Sequence, residues 1–251
     1  MILLNNLNVL VTGGSRGIGK ACVELFLQAG ANVAFTFNSA SDEAQKIISS
    51  YNGSSKIKLY KVNLNDHVEI ENKVKGILND FNRIDILVNN AGIWKEAAID
   101  EMQIENWDET MNINLTSAYL FTKFIVPGMK ERKFGRIINI SSTAGQRGEA
   151  FHSHYAASKG GMISLTKSLA SELGEYNITV NCIAPGWVYT DMTTDSLLKQ
   201  DLHKKVLNDI PLRKIAKPEE IAGPVLFLAS NLASHITGEI LNVNGGSVLC
   251  G

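Results

Sequence analysis

Short apolar, β-branched runs recur along this chain at residues 8–12, 32–37, 58–62, 84–88, 136–140, 178–183 and 239–243, most of them followed by Gly, Asn or Ser. Longer stretches with helical spacing fill the intervals. Ile18, Cys22, Leu25 and Phe26 make one apolar face. Val68, Ile70, Val74, Ile77, Leu78 and Phe81 make a second, and Met162, Ile163, Leu165, Thr166, Leu169 and Leu173 a third. Strands that alternate with helices imply βαβ units, hence parallel strands with helices over both faces. Several runs are almost wholly apolar, as strands buried on both sides require. The expectation is an α/β fold: one doubly wound domain over residues 1–251, with a mostly parallel seven-stranded sheet. No Pro/Ser-rich linker, low-complexity tract or internal repeat divides it. Residues 190–220 break the alternation. They are polar, helical in pattern and without a strand, which suits an insertion over a ligand.

Composition narrows the function. Lys plus Arg number 24 and Asp plus Glu 25, a formal charge of −1, so bulk charge does not hold this chain to nucleic acid or an anionic membrane. No apolar run reaches the roughly 18 residues of a membrane span. The start, Met1-Ile-Leu-Leu-Asn-Asn6, lacks the basic segment and cleavage site of a signal peptide. Cys22, Cys182 and Cys250 are scattered and odd in number, which fits neither a disulfide framework nor a zinc knuckle. They read as buried or incidental thiols in a cytoplasmic protein, and no cluster has metal-ligand spacing.

The first run leads straight into Thr12-Gly-Gly-Ser-Arg-Gly-Ile-Gly19 and then a helical stretch. A strand, a glycine turn and a helix start together aim backbone N–H groups and the positive end of a helix at one spot, where phosphate oxygens are stabilised. The glycines, at Gly13, Gly17 and Gly19, let the backbone approach a pyrophosphate without a Cβ in the way. Further on, Tyr155 and Lys159 stand four residues apart on a helical pattern and so share a face. A free phenol titrates near pH ~10, and a nearby ammonium stabilises the phenolate. Such a tyrosine donates a proton to a carbonyl oxygen in one direction and removes one from an alcohol in the other. A Tyr-x-x-x-Lys pair on a surface helix has no chemistry by itself. Ser142, thirteen positions before Tyr155 and just past a strand end, changes that balance, because ligand sites of open α/β sheets lie there.

These motifs, in this order, resemble the short-chain dehydrogenase/reductase family. The T-G-x-x-x-G-x-G loop is followed by Asn89-Asn-Ala-Gly92, Met111-Asn-Ile-Asn-Leu115, Ser142, Tyr155-Ala-Ala-Ser-Lys159 and Pro185-Gly186, with Thr190 four residues on. The resemblance runs from about Leu7 to Gly246. Within the family it is closest to the 3-oxoacyl-(acyl carrier protein) reductases, through Ser-Arg-Gly-Ile-Gly19, Gly135-Arg-Ile-Ile-Asn-Ile-Ser-Ser142, Ile178-Thr-Val-Asn181, Ile236-Thr-Gly-Glu239 and Asn242-Val-Asn-Gly-Gly246.

The resemblance implies a Rossmann-type domain and a catalytic set of Asn114, Ser142, Tyr155 and Lys159. Ser142 would bond the substrate oxygen. Lys159 would also grip the nicotinamide ribose, and Asn114 would hold a water between that lysine and solvent. Asn112 competes with Asn114, which is chosen because it directly precedes Leu115. The implied cofactor contacts are Gly13, Ser15, Arg16, Gly17, Ile18, Gly19, Asn38, Ser39, Asn63, Leu64, Asn90, Ala91, Gly92, Tyr155, Lys159, Pro185, Gly186, Val188 and Thr190. No carboxylate follows the second run until Asp42, and Arg16 suits a 2′-phosphate, so NADP is favoured over NAD. Ile93, Trp94, Gly148, His152, Trp187 and Met192 are candidate substrate-pocket residues, with Arg147, Glu149 and His154 as solvated neighbours. The implied activity is NADPH-dependent reduction of a 3-oxoacyl thioester. The alternatives are oxidation of a sugar, polyol or other secondary alcohol, or a non-catalytic nucleotide-binding protein. The implied partners are an acyl carrier protein and further copies of the chain in a homotetramer. Lys130-Glu-Arg-Lys133 offers basic residues to an acidic carrier, although Tyr176 stands where the subgroup has a second basic residue.

Overall fold

The computed structural model describes residues 2–249; Cys250 lies outside the described residues. Seven strands form one sheet in the order β3-β2-β1-β4-β5-β6-β7, and every neighbouring pair is parallel. They are β1 (Asn8–Val11), β2 (Asn32–Phe37), β3 (Ile57–Lys61), β4 (Ile86–Asn89), β5 (Gly135–Ile140), β6 (Ile178–Pro185) and β7 (Ile240–Val243). The mostly parallel sheet expected from the sequence is thus parallel throughout. Strand side chains alternate between faces, so each central strand feeds two cores. Val9 and Val11 face one cluster with Phe26 of α1 (Gly17–Gln28) and Val225 of α10 (Pro218–Ala229). Leu10 faces the other, with Ile77 of α3 (His67–Phe81), Phe121 of α5 (Ser117–Arg132) and Leu173 of α7 (Ser153–Leu173). Between α1 and α3, α2 (Ser41–Ser50) buries Ala44 and Ile47.

The chain winds outward through β1, β2 and β3, then returns to place β4 on the other side of β1. A cleft opens at that reversal, beyond the carboxyl ends of the strands. Residues after β6 form α8 (Asp191–Leu197) and α9 (Gln200–Asp209). Leu197, Val206, Ile210 and Ile215 give them a small core of their own. A bridge between Val188 and Ala216 anchors their base. No helix among the described residues is long and apolar enough to cross a membrane.

Two helices pack unusually closely at the cleft. A methyl group on Gly145 of α6 (Thr143–Arg147) would lie 2.6 Å from the carbonyl carbon of Lys159 and 2.8 Å from the amide nitrogen of Gly160. Both are backbone atoms of α7, so no flexible side chain can yield. Gly145→Ala is expected to destabilise the fold by about 1–3 kcal/mol and to depress turnover with it, read by denaturant unfolding and initial rates.

Candidate active site

The glycine loop is held in shape by side chains of the neighbouring strands. The Gly13 amide donates to Thr36 Oγ1 at 3.1 Å. Thr12 Oγ1 accepts from the amides of Asn90 and Ala91 at 3.0 and 3.1 Å. Asn90 Nδ2 donates back to the carbonyls of Thr12 and Gly13 at 2.9 and 3.1 Å. Gly13 and Gly17 have φ of 65° and 54°, where a Cβ is strained. A Cβ on Gly19 would collide with the Gly13 carbonyl oxygen. Helix α1 starts here with no side chain capping it and no acidic residue in its first turn. Its N–H groups are therefore left for a ligand.

One cleft of about 370 Å³ gathers this loop, the ends of β2, β4, β5 and β6, and the start of α8. All but one of the expected cofactor contacts line it: Gly13, Ser15 to Gly19, Asn38, Ser39, Leu64, Asn90 to Gly92, Tyr155, Lys159, Pro185, Gly186, Val188 and Thr190 are there. Gly17 and Ile18 fall inside that run. Asn63 does not line it, although its neighbours Val62 and Leu64 do; its amide donates to Glu69 Oε1 and its Oδ1 accepts from the Asn65 amide. Asn114 also stands back from the cleft. The glycine cradle, the uncapped helix and the apolar Val62 and Leu64 fit a dinucleotide. Arg16 stays largely exposed and makes a 3.8 Å ion pair with Asp191 across the cleft mouth.

Lys159 is buried, and its Nζ donates to the carbonyl of Ile140, the last residue of β5, at 2.8 Å. Burial lowers its pKa to about 8. Its Nζ lies 5.8 Å from the centre of the Tyr155 ring. Ser142 caps α6, its Oγ accepting from the Ala144 amide at 3.1 Å. Burial pushes the Tyr155 phenol up to about 12, with a hydrogen bond to Ser142 acting the other way and the charge of Glu149 adding to the rise. The lowering expected from the lysine is not seen; burial is the largest influence on the phenol. The phenol is protonated at neutral pH, the state a proton donor needs.

Asn114 sits at the centre of a π-turn, Asn112–Thr116, between α4 (Ile104–Met111) and α5, and is fully buried. Its Oδ1 accepts from the Ile93 amide at 2.8 Å, and its Nδ2 donates to the Ile93 carbonyl and to Ser158 Oγ at 3.0 and 3.1 Å. The side chain is therefore committed to joining the loop after β4 to α7.

On the substrate side, Ser142 and Tyr155 share a smaller pocket with Trp94, Trp187 and Met192. Ile93 lines the main cleft. His152 stands behind Trp94, stacked on it at 4.4 Å, and Gly148 forms the left-handed turn that ends α6. His154, expected to be solvated, is fully buried, and neither ring nitrogen has a partner. Burial, His152 and Lys95 hold its pKa down. Sequence reasoning missed Thr36, Ser141, Glu109 and Asp191. Ser141 Oγ donates to the Lys159 carbonyl at 2.7 Å, Glu109 pairs with Lys95 beside the cleft, and only the position of Thr36 at a strand's carboxyl end offered a signal. Lys133 precedes β5, so the basic segment lies at the opposite end of the sheet from Ser142, about 20 Å away along six residues of strand. There Lys130 pairs with Glu172 at 3.5 Å and covers the Tyr176 ring.

A family model described as Enoyl-(Acyl carrier protein) reductase matches residues 13–247. The 3-oxoacyl-(acyl carrier protein) reductase FabG of Vibrio harveyi is 43% identical over 237 residues, 94% of this chain and 95% of that protein. A solved structure described as a short-chain dehydrogenase/reductase, glucose/ribitol dehydrogenase, from Brucella melitensis superposes with a TM-score of 0.92 at 32% identity, covering 99% of each chain. Another, described as an NAD(P)-dependent gluconate 5-dehydrogenase from Beutenbergia cavernae with bound NADP at low occupancy, gives 0.91 at 32%, covering 98% of each.

The buried lysine yields a prediction about stability. Its pKa falls from 10.5 to about 8 on folding, so the unfolded chain binds that proton more tightly. Stability therefore rises as pH climbs from 8 through 10.5, and at neutral pH the buried ammonium is a cost. Lys159→Met is expected to raise the stability of the cofactor-free protein at pH 7 by about 1–3 kcal/mol while removing activity. The gain should vanish above pH ~10.5, where the lysine is neutral in both states. Urea unfolding at both pH values checks it.

Proposed function

This chain belongs to the short-chain dehydrogenase/reductase family and is an NAD(P)-dependent oxidoreductase, and we propose that it reduces the keto group of a 3-oxoacyl thioester with NADPH. The observation that carries the reading is the convergence of Ser142, Tyr155 and Lys159 on one cleft, in a chain 43% identical over nearly its full length to a 3-oxoacyl-(acyl carrier protein) reductase.

NADPH, when bound along the glycine loop, supplies the hydride that goes to the carbonyl carbon. The residues do the rest. Ser142 donates a hydrogen bond to the substrate oxygen and orients it. Tyr155, protonated at neutral pH, gives its proton to that oxygen, so that a carbonyl becomes an alcohol. Lys159 stabilises the phenolate left behind and holds ribose hydroxyls. Asn114 fixes the distance between the loop after β4 and α7. Two hydroxyls that share one hydrogen bond suit a single oxygen atom, a keto oxygen in reduction and the alcohol oxygen in the reverse direction.

The cofactor preference rests on Arg16 at the cleft rim and on a β2 end, Phe37-Asn38-Ser39, with no carboxylate. The exposed Arg16–Asp191 pair is weak, so a 2′-phosphate displaces it readily. We assign the protein to the cytoplasm as a homotetramer of dihedral symmetry, pairing through α4, α5 and α7; Ile104 and Tyr119 stand exposed on the first two. An acyl carrier protein is the proposed source of substrate. The Lys130–Lys133 segment faces away from its own subunit's cleft, so any carrier it docks would serve the cleft of a neighbouring subunit. A second reading, oxidation of a sugar or polyol, draws on the likeness to structures described as glucose/ribitol and gluconate dehydrogenases. Intact Ser142, Tyr155 and Lys159 weigh against a silent nucleotide-binding role.

Acetoacetyl thioesters should be turned over with NADPH faster than a panel of sugars and polyols is oxidised; the reverse order would favour the second reading. Tyr155→Phe should lower kcat about 10²–10⁴-fold and leave cofactor affinity largely intact, measured by initial rates and cofactor fluorescence titration. Arg16→Ala should raise the KM for NADPH and leave that for NADH nearly unchanged, and equal losses would remove the 2′-phosphate assignment.

A further inference from the structure

The substrate pocket carries an aromatic corner. Trp94 and Trp187 both line the pocket that contains Ser142 and Tyr155. Their rings stand at 86° with centroids 5.9 Å apart. Trp94 is held from behind by His152, stacked at 4.4 Å and 6°, and along its edge by its indole N–H, which donates to Glu149 Oε2 at 3.3 Å. His152 is itself fixed, its Nδ1–H donating to the Ala150 carbonyl at 2.9 Å, and it is buried. The corner is therefore set before any ligand arrives, and little side-chain ordering remains to be done on binding.

We propose that this corner makes the protein select carbonyl substrates bearing a planar conjugated substituent, aryl or polyenyl, over those with a flexible saturated chain. The proposal rests on the carbonyl-reductase reading and names its substrate class. Aromatic rings favour offset-stacked and edge-to-face contacts. A flat group seated in the corner that the two perpendicular indoles form stacks on one and meets the other edge-on. A saturated chain gains only apolar contact there and must freeze its torsions. A polyol gains less there, since two polar side chains beside the corner are already engaged. Glu149 takes the Trp94 indole N–H, and Thr193 Oγ1 donates to the Val188 carbonyl and accepts from the Thr190 amide. Met192, partly exposed at the rim, adds an adaptable apolar wall.

The test compares N-acetylcysteamine thioesters of 3-oxo-3-phenylpropanoate and 3-oxohexanoate, with NADPH, in the wild type and in Trp94→Leu and Trp187→Leu. The expected result is a kcat/KM about tenfold higher for the phenyl substrate in the wild type. Each leucine variant should bring the ratio toward one, mainly through a raised KM for the phenyl substrate. A wild-type ratio of one or less overturns the proposal, as does a ratio that neither variant moves. If neither thioester is turned over, acetophenone and 2-heptanone take their place. A phenyl preference there sinks the thioester reading and sustains the corner. No turnover of either ketone overturns both.

Discussion

The site hangs on one residue tied to one strand end at two points. Lys159 sends its ammonium to the Ile140 carbonyl and receives Ser141 Oγ on its own carbonyl. Both partners belong to the last residue of β5 and the one after it. The two bonds clamp α7 across the carboxyl end of the sheet's middle, and Gly145 allows the close approach. Tyr155 lies one turn earlier on the same helix, so its hydroxyl is placed by the same clamp. The arrangement is costly. An ammonium in a dry site prefers to lose its proton, and its pKa falls to about 8. The charge that the proposed mechanism assigns to a ribose and a phenolate is thus maintained against the stability of the fold.

The end of β4 interlocks the remaining parts. Asn90 and Thr12 exchange hydrogen bonds that staple the glycine loop to the residues after β4. Three residues on, Ile93 is gripped through both backbone groups by Asn114, which also reaches Ser158 of α7. A methyl on Gly92 would sit 3.3 Å from Asn114 Oδ1 and 3.4 Å from Lys159 Nζ. The glycine loop, the π-turn and α7 therefore meet around one short segment. Asn114 acts there as a positioning residue, and a π-turn is a common way to aim a side chain where a regular helix would not.

Periodicity made the strands and helices legible, because each is amphipathic or buried by a rule that depends only on neighbours along the chain. Strand ends shifted by a residue or two, as at β4, where Ile84 and Asp85 precede the ladder. Ser142, Tyr155, Lys159 and the glycines were legible through spacing and family likeness together. What escaped depended on burial by distant segments. The phenol of Tyr155 is raised rather than lowered, because burial is the largest influence on it. His154 is buried although it neighbours an exposed loop, and His152 backs Trp94 instead of lining the pocket. Lys133 shows the same limit at larger scale. It lies nine residues before Ser142 in sequence, yet a whole strand separates them in space.

The two halves of the cleft are built from different materials, and that has a chemical consequence. The cofactor half is mostly backbone, with glycines, strand ends and a helix start held by short polar side chains that strands fix in place. Its geometry tolerates little change, because a Cβ or a lost hydrogen bond moves the loop itself. The substrate half is made of large side chains on three separate connections: Trp94 after β4, His152 before α7 and Trp187 after β6. None of the three rings takes part in the proton transfer. On the proposed reading, exchanging one alters which carbonyl compound is held, without moving Ser142, Tyr155 or Lys159. On that reading the fold and the Ser142, Tyr155 and Lys159 set specify a reaction, whereas the substrate is set by rings on loops that the reaction does not constrain.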